Sequence, residues 1–282
     1  MTLILTCLTA SNVFQVSDRR LTLVSSPESI VDDDRNKAVF VGRVSFGYTG
    51  LAEIGRERTD DWLARVISEG PTNDMAQVAQ RVRCAATAAF RQLPATLPKN
   101  FRHHAFHGVG WFRLRGQAWL SPGIIVVHNA LDEQTGGWLV EPLDEFCVAT
   151  QFPSALPSKE CILHSVGVRP NARERDAVVR LLRKCVKHRS STPTTIGKAL
   201  IDSMSWLSRR HTRIGNRLLL VSLPKSSAEE FDRTGNTSLL AAPTNDATAT
   251  FTYASPEGSL TWYGPHIVRE GVVLTEVAGG PL

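Results

Sequence analysis

The chain lacks any apolar run near the roughly 20 residues needed to cross a bilayer. Its opening apolar stretch, Leu3 to Leu8, is too short for a signal-peptide core. No basic region precedes it and no small-residue cleavage site follows it. The expectation is a soluble, cytoplasmic protein with no membrane partner. Cysteine is sparse and scattered: Cys7, Cys84, Cys147, Cys161 and Cys185, with no CxxC pair. That argues against a disulfide framework or a structural zinc site and favours buried, reduced thiols. An excess of one charge is also missing, since the net charge is only +5. Arg180, Arg183, Lys184, Lys187, His188 and Arg189 make a basic helix end. It has no interleaved aromatics, as nucleic-acid binding would want, and it suits a helix C-terminus on dipole grounds alone. No nucleic-acid partner is expected. Internal repeats and low-complexity tracts are absent.

What is present is enough for a sizeable core: 282 residues, 42% of them hydrophobic, and only 21% charged. Residues 3–9 and 12–18 read as a hairpin across Ala10-Ser11-Asn12. Val39 to Val41 and Val44 to Tyr48 read as a second strand pair. Thr59-Asp60-Asp61 supplies an N-cap and acidic first turn for a helix with Trp62, Leu63, Val66 and Ile67 on its apolar face. Pro71 to Asp74 breaks that helix and caps a longer one, Met75 to Leu93. Strands are expected at about 105–113, 118–128, 136–141, 144–149 and 160–165, with a turn at Asp132–Gly137. Helices follow, from Pro170-Asn171 to about His188 and from Thr192 to about Arg209, then an apolar strand at Leu218 to Leu223. Beyond 224 the chain is polar, with short strand-like stretches at 247–253 and 259–264. Strands in hairpin-like runs, alternating with helix pairs, suit two central sheets with helices outside better than a parallel α/β sheet.

The N-terminal third carries a more specific pattern. Thr2 is followed by two strands, then Ser17-Asp18-Arg19-Arg20, then Asn36-Lys37-Ala38 before a strand, then Tyr48-Thr49-Gly50-Leu51. In this order and spacing the chain resembles a proteasome β-type subunit, or bacterial proteasome-like N-terminal-nucleophile (Ntn) hydrolase. The likeness spans roughly residues 2–223; residues 224–282 form an extension it does not cover. It implies an α+β fold, a four-layer αββα sandwich. It also implies an amide-bond hydrolase of the threonine-peptidase type, acting on peptide or unfolded protein. By the same likeness the chain would assemble into a homo-oligomeric ring and need no cofactor or metal. Two alternatives stay open: a catalytically inactive proteasome-like scaffold, and an Ntn amidase for a small molecule.

The resemblance assigns roles that chemistry can motivate. A Thr hydroxyl is a weak nucleophile and needs an adjacent base. With Met1 removed, the α-amine of Thr2, whose kind titrates at roughly 7.7–8.0, can serve. Lys37 would place a cation beside the hydroxyl, favouring its alkoxide-like form. Asp18 would pair with Lys37 and offset the cost of burying it. The Gly50 N–H would face the oxyanion. Ser165, in the stretch His164-Ser165-Val166-Gly167, matches the family's Ser near the end of the middle strands. The family's late Asp has no counterpart: His211 falls nearest that slot, in Arg210-His211-Thr212-Arg213.

Each residue also has an ordinary reading. Thr2 would be a strand residue, Asp18 a turn cap, and Lys37 a solvated charge beside a strand. His103, His104 and His107 invite a metal reading. They match no helical ligand spacing, so a surface His cluster is the better expectation. Cys7, between apolar neighbours, reads as core.

Overall fold

In a computed structural model of the protein, the described residues are 2–22, 29–72, 74–114, 116–131, 139–153, 156–168, 170–226, 228–229, 249–264 and 272–274. The chain opens with β1 (Leu3–Leu8) and β2 (Asn12–Asp18), then short β3 (Leu21–Thr22) and β4 (Ile30–Asp32). Next come β5 (Ala38–Val41), β6 (Val44–Thr49), β7 (Glu53–Ile54) and β8 (Glu57–Arg58). Helices α1 (Thr59–Ser68) and α2 (Met75–Arg91) precede β9 (Ala105–Arg113), β10 (Leu120–His128), β11 (Cys147–Gln151) and β12 (Ile162–Gly167). Helices α3 (Ala172–Lys187) and α4 (Pro193–Ser208) lead to β13 (Leu218–Pro224), β14 (Ala249–Ser255), β15 (Gly258–Gly264) and β16 (Val272–Leu274).

The long strands form two antiparallel six-stranded sheets. One runs β12-β1-β2-β13-β14-β15, the other β11-β10-β9-β6-β5-β16. Period-two alternation decides which side chains each sheet turns to which neighbour. In β6, Val44, Phe46 and Tyr48 join an apolar group with Trp62 and Leu63 of α1 and Val78 and Val82 of α2. A second group draws on both sheets: Leu8, Val13, Val166 and Leu219 with Phe40, Val109, Trp111 and Ile124. The Trp111 indole N–H also donates to the Leu223 carbonyl at 2.9 Å, tying one sheet to the other. The third group sets Leu3, Leu5, Cys7, Phe14 and Val16 against Val178 and Leu182 of α3 and Leu200 and Met204 of α4.

Local chemistry sets the helix starts. The Asp74 carboxylate accepts from Ala76 N and Gln77 N, so Pro71 to Asp74 ends one helix and caps the next as expected. Asn171 with Glu174, and Thr192 with Thr195, form reciprocal capping boxes. Thr59 departs from expectation. The N-cap of α1 is Arg58, without a side-chain cap, and Thr59 is the first helical residue. Its hydroxyl instead donates to the Leu51 carbonyl at 2.8 Å, which pins the helix start to the turn after β6.

Two other boundaries differ. The strand expected at 144–149 lies at Cys147–Gln151, where it pairs with β10 from Ile124 to His128. Of the strand expected at 136–141 and the turn at Asp132–Gly137, residues 132–138 lie outside the described residues, and 139–141 are not strand. The tail stretches are sheet members: β14 pairs with β13, β15 with β14, and β16 with β5. Among the described residues, no helix is long and apolar enough to cross a membrane.

Candidate active site

Three residues far apart in sequence meet at one end of the β1–β2 hairpin. The 15-residue separation of Leu3 from Asp18 closes because β1 and β2 pair antiparallel, Ile4 opposite Ser17. The Asp18 carboxylate, at the end of β2, accepts from Leu3 N at 2.7 Å and from Arg20 N at 3.0 Å. Lys37 stands just before β5. Its Nζ donates to the Thr2 hydroxyl at 2.5 Å, to the Arg20 carbonyl at 2.5 Å and to Asp18 Oδ1 at 3.3 Å. An ammonium has three donors, and here each has an acceptor. The side chains of Lys37 and Asp18 are both 0% exposed, and Thr2 is buried as well. Lys37 is therefore not the solvated charge of the ordinary reading.

Burial lowers the Lys37 pKa from its usual value, and the nearby Asp18 carboxylate acts in the opposite direction. Desolvation prevails. The result is an amine held closer to neutrality than an exposed lysine, in contact with a hydroxyl. Because the ammonium donates to Thr2 Oγ1, the hydroxyl's own proton is directed to some other acceptor.

The backbone of Thr2 is fixed from the far side. Its carbonyl accepts from Val168 N at 3.0 Å and from the Thr49 hydroxyl at 3.3 Å. Gly167 makes that approach possible. It has φ +101°, and a Cβ there would lie 1.7 Å from the Thr2 oxygen. Gly167→Ala should therefore displace residue 2 or twist β12 away from β1. The expected result is a destabilisation of roughly 3 kcal/mol or more, from backbone strain and steric conflict together. Denaturant unfolding of the variant checks this; a change under 1 kcal/mol would contradict the tight packing described.

Arg20 has a larger part than the sequence suggested. Its carbonyl takes one Lys37 proton, and its N–H supports Asp18. Its guanidinium grips Asp33 through two bonds of 2.8 and 3.1 Å and donates to the Thr212 carbonyl at 2.7 Å. The contacts that matter to Lys37 and Asp18 are backbone ones, which leave no residue-type signal in a sequence.

The remaining candidates are not brought to this cluster in the same way. Gly50 follows β6 with φ +122°, and a Cβ there would meet the His103 carbonyl and His104 Nδ1 at 2.5 Å each. Space and conformation thus require glycine whatever else its N–H does. Ser165 lies opposite Leu5 in the β1–β12 register and is exposed. It borders a small cavity shared with Leu5, Leu163, Val178 and Leu207, and Lys37 is not among the residues lining it. His211 pairs with Glu174 at 2.9 Å.

The expected surface His cluster is corrected by burial. His104 and His107 are both fully buried. Adjacent strand positions face opposite sides, so residues 104 and 107 part company. His104 packs among the rings of Phe90, Phe106 and Phe146 and accepts from Leu51 N at 3.1 Å. His107 enters the space between the sheets, 3.1 Å from Gln15 Nε2 and 3.1 Å from His164 Nδ1. Gln15 in turn accepts from the Ser45 hydroxyl at 2.9 Å. Among the described residues, no group of three or more His, Cys, Asp or Glu side chains could hold a metal.

No protein-family model and no curated protein matches this chain. Among solved structures, it is similar to a Gly-1 mutant of Anbu from Hyphomicrobium sp. strain MC1. That match has 13% identity and a TM-score of 0.49, covering 79% of this chain and 82% of the other. It is also similar to Anbu, described as an ancestral beta-subunit, from Yersinia bercovieri. There the identity is 13% and the TM-score 0.47, covering 87% of this chain and 88% of the other.

Proposed function

We propose that this chain is an amide-bond hydrolase whose nucleophile is the Thr2 hydroxyl, working on peptide or unfolded protein. The observation that carries the reading is the buried contact of Lys37 Nζ with Thr2 Oγ1 at 2.5 Å, backed by Asp18. The order of helix pair, sheet, sheet and helix pair is read as a four-layer αββα sandwich of the Ntn-hydrolase type. Assembly into a homo-oligomeric ring belongs to the same reading.

The chemistry follows from the group's donors and acceptors. Removal of Met1 frees the Thr2 amine, which takes the hydroxyl proton as Oγ1 attacks the substrate carbonyl. Lys37 stabilises the charge developing on Oγ1, and Asp18 with the Arg20 carbonyl holds Lys37 in place. The Gly50 N–H is the proposed oxyanion donor. Collapse of the tetrahedral intermediate passes the proton from the amine to the leaving group. Water then cleaves the resulting ester by the same route in reverse. Ser165 has no role in this reading.

A threonine-directed epoxyketone or β-lactone tests it. The wild-type protein should gain one adduct mass, and Thr2→Ala should gain none. Labelling that persists in Thr2→Ala would refute the nucleophile. A non-catalytic scaffold is the second reading, favoured by His211, which fills the late-Asp slot and is paired with Glu174. Intact mass separates the two: a chain that keeps Met1 has no free Thr2 amine and belongs to the scaffold reading.

A further inference from the structure

Outside the Thr2 cluster, one buried ring has a single polar task among the described residues. His104 is fully buried among the rings of Phe90, Phe106 and Phe146. Its Nδ1 accepts from Leu51 N at 3.1 Å, while Nε2 has no hydrogen-bond partner. An N–H donating to Nδ1 leaves the ring proton on Nε2, so the tautomer is fixed. Burial keeps the ring neutral, with a pKa lowered to about 3. Sealing an unpaired Nε2–H in an apolar pocket is unfavourable, and a leucine or phenylalanine would fill the space without it. What the histidine adds over them is the acceptor for Leu51 N.

That acceptor holds the turn that carries Gly50. The backbone of His104 is locked in its turn by Asn129. The Asn129 side-chain oxygen accepts from His104 N at 2.8 Å, and Asn129 N donates to the His104 carbonyl at 3.2 Å. From the other side, the Thr59 hydroxyl grips the Leu51 carbonyl at 2.8 Å. A Cβ on Gly50 would meet His104 Nδ1 at 2.5 Å, so the ring lies directly against the glycine.

The register of β6 fixes where the Gly50 N–H is aimed. Trp111 N donates to the Arg43 carbonyl at 3.1 Å, and the same register with β9 continues to Thr49 opposite Ala105. Antiparallel bonding alternates, so the Thr49 carbonyl, like that of Arg43, points to β9. In a trans peptide the N–H points opposite to the carbonyl. The Gly50 N–H therefore faces the β5 side of β6, where Lys37 stands just before the first residue of β5.

We propose that His104 is a positioning residue for the oxyanion donor, its Nδ1 fixing the Gly50–Leu51 peptide so that the Gly50 N–H stays aimed at the substrate carbonyl oxygen. The proposal rests on the reading of Thr2 as nucleophile. Charge on that oxygen develops only as the tetrahedral intermediate forms. A loosened donor should therefore slow acylation and leave initial binding unchanged.

The test is time-dependent labelling of the full chain by a β-lactone, resolved into a binding constant KI and a maximal rate kinact. His104→Leu removes the acceptor and should lower kinact about 10- to 100-fold, with KI within about twofold of wild type. His104→Asn offers a side-chain oxygen to Leu51 N and should recover most of kinact. Should His104→Leu not fold, Thr59→Val releases Leu51 from its other side and should lower kinact about threefold or more. Wild-type kinact in the loosened variant overturns the proposal, and so does a loss in His104→Asn equal to that in His104→Leu. Both outcomes leave the Thr2 reading intact. A wild type that the lactone does not label overturns the Thr2 reading and this proposal with it.

Discussion

Replacing Lys37 with Met should slow electrophile labelling of Thr2 by about 10²–10³-fold, the range that one positioned group stabilising a developing charge supplies. The lysine is the only cation placed on Thr2 Oγ1 among the described contacts. Methionine matches its length and tolerates burial, so packing changes little. The substitution should nevertheless destabilise the fold. It leaves Asp18 as a buried carboxylate with only the Leu3 and Arg20 N–H groups for support. Breaking one partner of a buried pair typically costs about 3–5 kcal/mol. A second variant separates the two effects. Asp18→Asn combined with Lys37→Met removes both charges, and Asn keeps one oxygen to accept a backbone N–H. That double variant should recover much of the lost stability while labelling stays low. Denaturant midpoints and adduct mass, read on the same samples, provide both numbers. If the double variant labelled at wild-type rate, Lys37 would be a structural charge and the catalytic reading would lose its support.

Acidification below about pH 6.5 should destabilise the protein steeply, because three histidines are folded away in neutral form. Burial lowers the pKa of His104 from 6.5 to about 3. His107 is also lowered, first by burial and then by its neighbour His164, and burial lowers His164. Between the folded and unfolded values, the unfolded chain binds the proton and the folded one does not. Stability from these groups is therefore complete above the unfolded value near 6.5. It drains away as pH falls toward the folded values. At pH 5 the His104 term alone amounts to about 2 kcal/mol, and His107 and His164 add in the same direction. That is a large share of the roughly 5–15 kcal/mol holding a typical domain together. Urea midpoints measured from pH 8 to pH 4.5 should show the loss. His104→Asn keeps an acceptor for Leu51 N and cannot titrate in this range. It should start lower at pH 7.5 and fall less on acidification. A midpoint constant from pH 7 to pH 5 would mean that the histidines are hydrated in solution.

Much of the architecture was legible because it rests on short-range rules. The β1–β2 hairpin, β6, α2, α3, α4 and β13 follow from alternation, helical periodicity and capping residues such as Asp74 and Asn171. The failures have identifiable causes. Thr59 looks like an N-cap, but the Leu51 carbonyl offers its hydroxyl a better partner one turn away in space. The three-histidine cluster looks polar and hence external, yet ring packing and strand alternation carry His104 and His107 to different interiors.

The site divides along the same line. Order and spacing, matched to the family resemblance, nominated Thr2, Asp18 and Lys37, and the antiparallel return of one hairpin brings residue 18 back to residue 2. They could not reveal that Lys37 is fully desolvated, that Arg20 supplies a carbonyl to it, or that Gly167 makes room for the Thr2 oxygen. Residue types and short-range rules account for the local elements and for which polar residues stand at the hairpin's end. Which charges lose water, and which backbone groups replace it, is set by long-range packing, because burial and electrostatic coupling depend on elements brought together from distant parts of the chain.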